Sequence, residues 1–113
     1  MERVNLSSSS SISRIIYGMW RLADDINTSS KHISDKVNLC LGQGITSFDQ
    51  AAVYGLYSAE ALFGEVLKAN PSLRHKIEIV SKCGIVNPSD RYAGVSVSHY
   101  DTSREHIFNS VDA

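Results

Sequence analysis

What most constrains this chain is the alternation of short apolar, β-branched segments with helical patterns. "RIIYGMW" reads as a strand ending near Gly18, Met19 and Trp20. After the polar stretch "LADDINTSS", Ile33, Val37, Cys40 and Leu41 recur at helical spacing from about Ser30 to Leu41, and Gly42 and Gly44 follow as left-handed caps. "ITSFD" is strand-like again. Leu62, Phe63, Val66 and Leu67 then make one apolar helical stripe, with Ser58 as its N-cap and Asn70-Pro71 as its stop. "KIEIVSK" is a third strand, closed by Cys83-Gly84. A polar loop follows, and Thr102 with Glu105 makes a capping box for a last helix. Ahead of all this, "VNL" and "ISRIIYG" can pair as a hairpin across the serines at 7–11. The order β-α-β-α-β-α predicts parallel strands and α/β architecture.

Right-handed crossovers make the three strands run one way, so their C-terminal ends share a face, where α/β folds place chemistry. Strand one delivers Met19 and Trp20 to that rim, strand two Asp49, and strand three Lys82. Tyr54 follows Asp49 by five residues. Each has an ordinary explanation alone: Asp49 as a turn residue, Lys82 as an exposed lysine, Tyr54 as a packed loop aromatic with a wet hydroxyl. Together they suggest chemistry. An unperturbed phenol has a pKa of about 10, too high for easy proton exchange at neutral pH. A nearby lysine cation favours the phenolate, and a carboxylate would orient that lysine. The result is a phenol able to donate a proton to a developing alkoxide.

These residues carry a family resemblance. "YGMWRL", "GITSFDQAAVYGLYSAEALFGEVL" and "IEIVSKCGI" together resemble the N-terminal part of an aldo-keto reductase, with "GMWRL" and "SKCGI" similar to bacterial members. The resemblance runs from about Ser13 to the end of the chain. It implies a (β/α)8 TIM barrel, of which residues 1–113 supply about three βα units after a capping β-hairpin. It also implies reduction of a small-molecule carbonyl, aldehyde or ketone, by hydride from NADPH. By resemblance Tyr54 matches the proton donor, Lys82 the lysine that lowers its pKa, and Asp49 the carboxylate paired with that lysine. Met19, Trp20 and Asp49 match positions near the cofactor or the substrate pocket.

Two features depart from the family pattern. The family's fourth catalytic residue is a histidine ending strand four. His32 and His106 fall on predicted helices, His75 in the turn before strand three and His99 in the loop after it. A (β/α)8 barrel takes about 250 residues, whereas this chain has 113. The expectation is therefore a partial domain, truncated before strand four, with an open sheet edge and apolar helix faces that favour self-association. A catalytically inactive chain acting at most as an interaction or remnant protein is the alternative. "LGQG" follows a helix and lacks a third glycine, so it is no dinucleotide fingerprint. Tyr57 has Ala61, not lysine, at the spacing a short-chain dehydrogenase needs.

Composition excludes other classes. A net charge of -1 without charge runs leaves no footprint for nucleic acid or an anionic membrane. No secretory leader or membrane-length apolar run is present, so a cytoplasmic location is expected. Cys40 and Cys83 share no metal-ligand spacing, and both are expected to be buried free thiols.

Overall fold

The computed structural model describes residues 1–113. Strands β1 (Arg3–Asn5) and β2 (Ser11–Ser13) pair antiparallel with Val4 opposite Ile12, so the expected hairpin forms across the serine run. The chain bends at Arg14 and Ile15, the Arg14 amide making the last hairpin bond, to the Glu2 carbonyl at 2.9 Å. Strand β3 (Ile16–Gly18) is therefore a separate element and not a continuation of the hairpin arm. It lies parallel to β4 (Ser47–Asp49), which lies parallel to β5 (Glu78–Val80). Tyr17 stands opposite Phe48, and Phe48 opposite Ile79. Helices α1 (Ser30–Gly42) and α2 (Ala59–Ala69) are the crossovers.

The apolar stripes read from the sequence become the core. Phe48 is fully buried, stacked on Phe63 with ring centroids 5.7 Å apart and 6.0 Å from Tyr17. Ile33 and Val37 from α1 and Val66 from α2 join the same cluster. Each such side chain contributes roughly 1.5–3 kcal/mol on burial.

Several element ends differ from expectation. Gly42 is the last residue of α1, Gln43 is the C-cap, and Gly44 takes the left-handed turn at φ +77°. Ser58 precedes α2, but its hydroxyl donates to the Gly55 carbonyl at 2.6 Å and caps nothing. Helix α3 (Arg104–Asp112) is capped by Ser103, which accepts from the His106 amide at 3.2 Å, in place of Thr102. The Asp101 carboxylate accepts the Ser103 N–H at 2.9 Å and sets that shift. The expected polar loop closes as a hairpin of β6 (Ile85–Val86) and β7 (His99–Tyr100), two-residue strands too short to show periodicity. Helix α3 buries none of its residues, leaving Phe108 and Val111 exposed as the sequence led one to expect. No helix is long and apolar enough to cross a membrane.

Under the parallel sheet, at the N-terminal ends of its strands, lies a polar floor. Ser13 and Ser47 are fully buried there. The Ser13 hydroxyl accepts the Thr46 and Ser47 amides and donates to the Ile15 carbonyl, while Ser47 Oγ accepts the Ser13 amide at 2.9 Å. The Thr46 and Ser47 hydroxyls both donate to Glu78, at 2.7 and 2.8 Å, and Arg3 of the hairpin pairs with Glu78 at 2.6 Å. Burial opposes the Glu78 carboxylate, but these hydrogen bonds outweigh it and hold its pKa below the ordinary glutamate value.

Helix α1 is tethered to the preceding loop through Asp25. Lys36 donates to this carboxylate and His32 Nε2 lies 3.2 Å from it. The Lys36 hydrogen bond, helped by the Asn27 amide, lowers the Asp25 pKa from 3.8 to about 2. A carboxylate depressed in the folded state contributes stability that is complete above its unfolded pKa and is lost as pH falls through the folded one. Thermal unfolding midpoints should therefore drop between pH 4 and pH 2, and Asp25→Asn should show a shallower drop. An identical acid profile in Asp25→Asn would contradict the assignment.

Candidate active site

The sheet ladder continues past the strand ends and gathers the rim residues. The Met19 amide donates to the Asp49 carbonyl (2.9 Å), the Gln50 amide to the Val80 carbonyl (2.8 Å), and the Ala52 amide to the Lys82 carbonyl (2.9 Å). Asp49 closes β4 and Lys82 sits two residues beyond β5, so both reach the same rim. Lys82 Nζ donates to Asp49 Oδ1 at 2.8 Å and to the Gln50 carbonyl at 2.8 Å. It also stands 4.9 Å from the Tyr54 ring centroid. The Tyr54 hydroxyl donates to Asp49 Oδ2 at 3.3 Å. The three residues singled out in the sequence thus form one cluster. Desolvation works against the Lys82 ammonium. The hydrogen bond with Asp49, the proximity of Tyr54 and the attraction of both groups outweigh it, so its pKa is raised and the charge retained.

Local backbone geometry sets Tyr54. Its carbonyl accepts the amides of Ser58 and Ala59 at 3.2 and 3.1 Å, which fixes it against the start of α2. The next three residues are all left-handed, with φ of 60° at Gly55, 51° at Leu56 and 71° at Tyr57. Glycine is required at 55 on packing grounds as well, since a Cβ there would lie 2.5 Å from Ala23 Cβ.

Tyr54 and Lys82 close one end of a cavity of about 340 Å³ whose other walls are residues 51–53, Cys83, Ile85 and Tyr100. The two remaining rim residues lie elsewhere. Met19 is buried in the core, 1% exposed, with its sulfur accepting the Gln50 side-chain amide at 2.9 Å. Trp20 is 65% exposed, 6.4 Å from the Tyr54 ring, and lines a neighbouring groove with Leu56, Ile85 and Asn87. Cys83 also departs from expectation. Cys40 is buried, and desolvation raises its pKa, but Cys83 is exposed because the chain has already left the sheet after Val80.

Three residues near the cluster escaped the sequence reading. Gln50 is 1% exposed; its Nε2 also bonds the Ala59 carbonyl at 3.2 Å, and its Oε1 is unpartnered. The Ser81 hydroxyl donates to Glu60 of α2. Tyr57 bonds the strand after Lys82 through its hydroxyl. Its place three residues beyond Tyr54, across a glycine, was the one available signal.

Parallel βα units with chemistry-bearing side chains at the C-terminal rim define an α/β protein, and solved structures give the architecture. The chain superposes on the holo form of an aldo-keto reductase from Bacillus halodurans with a TM-score of 0.74 at 23% identity, covering 99% of this chain and 34% of that one. A glycerol dehydrogenase from Gluconobacter oxydans gives a TM-score of 0.72 at 20% identity, over 97% and 33% respectively. The fold is thus the N-terminal part of a (β/α)8 TIM barrel. The model of the aldo/keto reductase family matches residues 14–113, and the chain belongs to that family. It is 55% identical over 113 residues to a 6-dehydroglucose reductase of Agrobacterium fabrum, covering all of this chain and 38% of that protein. It is 42% identical over 112 residues to the uncharacterized oxidoreductase YcsN of Bacillus subtilis, covering 99% and 37%. The chain therefore spans under two-fifths of the length of these relatives.

Proposed function

We propose that the chain forms the proton-donating part of an NADPH-dependent reductase that converts an aldehyde or ketone to an alcohol in the cytoplasm. The Asp49–Lys82–Tyr54 cluster carries this reading. In it Tyr54 gives its hydroxyl proton to the carbonyl oxygen as that oxygen gains electron density. Lys82, kept charged by Asp49, supports the phenol oxygen as the proton leaves. Asp49 holds Lys82 in place and is not itself consumed. The apolar walls of the cavity leave Lys82 and Tyr54 as the polar groups facing the reacting carbonyl.

NADPH, when bound, supplies the hydride that reaches the carbonyl carbon. The site's chemistry suits it: a cavity of about 340 Å³ with apolar walls and a cation and a phenol at one end accepts an uncharged ring beside a carbonyl. Trp20, from the groove beside this cavity, and Asp49, through the Lys82 that it holds, border the cofactor on this reading, and Met19 lies buried behind them. On this reading residues 1–113 are the first part of one catalytic domain, completed by further βα units.

The test joins residues 1–113 to the remaining βα units of the Agrobacterium relative. Oxidation of NADPH dependent on an added aldehyde or ketone is expected, and a folded chimera without it would overturn the proposal. A second reading, an inactive chain acting at most through interactions, draws on its span of 38% of that relative. Titrating the 113-residue chain with NADPH while following Trp20 fluorescence separates the two. Saturable quenching at micromolar cofactor counts against the inactive chain.

A further inference from the structure

We propose that Tyr57 is a positioning residue, latching the turn that carries Tyr54 to the segment that carries Lys82. The proposal rests on the reading of Tyr54 and Lys82 given above. Left-handed backbone is disfavoured for side chains such as those of Leu56 and Tyr57, and it persists where surrounding contacts over-determine it. Here the contacts converge on Tyr57. Its hydroxyl donates to the Ile85 carbonyl at 3.1 Å and accepts the Asn87 amide at 2.8 Å. Its ring meets Tyr92 edge-on at 5.2 Å, and the Arg91 guanidinium lies 5.3 Å from its centroid.

The placement of these bonds matters more than their number. Ile85 and Asn87 follow Lys82 by three and five residues, and Ser81, just before Lys82, is tied to Glu60 of α2. The lysine segment is therefore clamped on both sides to the segment containing Tyr54. Tyr54 itself has a single side-chain hydrogen bond, at 3.3 Å, which is too long to hold the ring over Lys82 unaided. A displacement of about 1 Å in such a pair is enough to spoil proton transfer. The latch supplies the rigidity that the reacting pair lacks.

The test uses the 113-residue chain and does not depend on turnover. In the unmodified chain, the ring current of Tyr54 should displace the Lys82 ε-methylene proton resonances upfield, and Tyr54→Phe should keep that displacement because the ring remains. Tyr57→Phe removes one hydroxyl. The Asn87 amide should then exchange at least about tenfold faster, since it has lost its acceptor, and the Lys82 displacement should fall by half or more while the Phe48 and Phe63 signals hold. Faster Asn87 exchange with an unmoved Lys82 resonance would make Tyr57 merely structural, and unchanged exchange would mean that the latch bond is absent; either overturns the proposal. Should Tyr57→Phe not fold, warming the unmodified chain gives the same answer. The Asn87 and Lys82 signals should change at one midpoint, below that of the core, and separate midpoints would overturn the coupling. The resonances follow the latch whatever Tyr54 does in chemistry, so a failed reductase assay and a failed latch are distinct results.

Discussion

Tyr54→Phe, in the barrel completed with the relative's remaining βα units, is expected to lower turnover by about 10²–10⁴-fold, the range a positioned general acid contributes. The substitution is a narrow one. Phenylalanine keeps the ring that Lys82 stands 4.9 Å above and that Trp20 faces at 6.4 Å, so the shape of the cavity end is preserved. It removes the proton and one 3.3 Å bond to Asp49, whose other oxygen stays with Lys82. NADPH affinity should change by no more than a few-fold, because the residues assigned to cofactor contact are untouched. Steady-state reduction of an aldehyde, with cofactor binding measured separately, gives both quantities. Turnover within a few-fold of the unmodified chimera would remove Tyr54 from its role.

Phe48→Ala should cost about 3–5 kcal/mol of stability, the usual range for truncating a buried phenylalanine. Phe48 is fully buried at the centre of the parallel sheet, between Tyr17 and Phe63. Its neighbours on the register, Tyr17 and Ile79, belong to β3 and β5, so no single element can collapse into the void. A loss of that size is a large share of the roughly 5–15 kcal/mol that holds an ordinary domain together. Urea denaturation followed by circular dichroism measures it. A loss under about 1 kcal/mol would mean that the sheet and α2 do not pack as described.

The parts of this molecule that were legible in its sequence share one physical property: they repeat. The stripe of Leu62, Phe63, Val66 and Leu67 and the short β-branched runs carry their own period, and the period fixes which side is buried. Once strand direction follows, Asp49, Tyr54 and Lys82 fall on one rim without further information. What stayed hidden depends on single dihedral angles or on contacts far apart in the chain. Met19 reads as a rim residue because it follows β3. Its amide instead stays on the ladder with Asp49, and its side chain turns into the core beside Gln50. Tyr57 gives no composition signal at all, because its importance comes from a left-handed backbone and from partners 28 and 30 residues away. The β6–β7 hairpin is two residues wide, below any window in which alternation can be counted.

The polar floor beneath the sheet has a consequence for how this chain can vary. A floor made of apolar side chains tolerates exchange of one for another of similar volume. This one is made of direction: Ser13 receives two amides and returns one proton, and Ser47 receives one and returns one to Glu78. Removing a single hydroxyl strands its buried partners, at about 1–3 kcal/mol for each group left unsatisfied. Ser13, Ser47 and Glu78 therefore behave as one unit, free to change together and costly to change alone. At the opposite rim the cavity walls Ala51, Val53 and Tyr100 make no side-chain hydrogen bond, so variation in this chain has more room among those walls than in the floor.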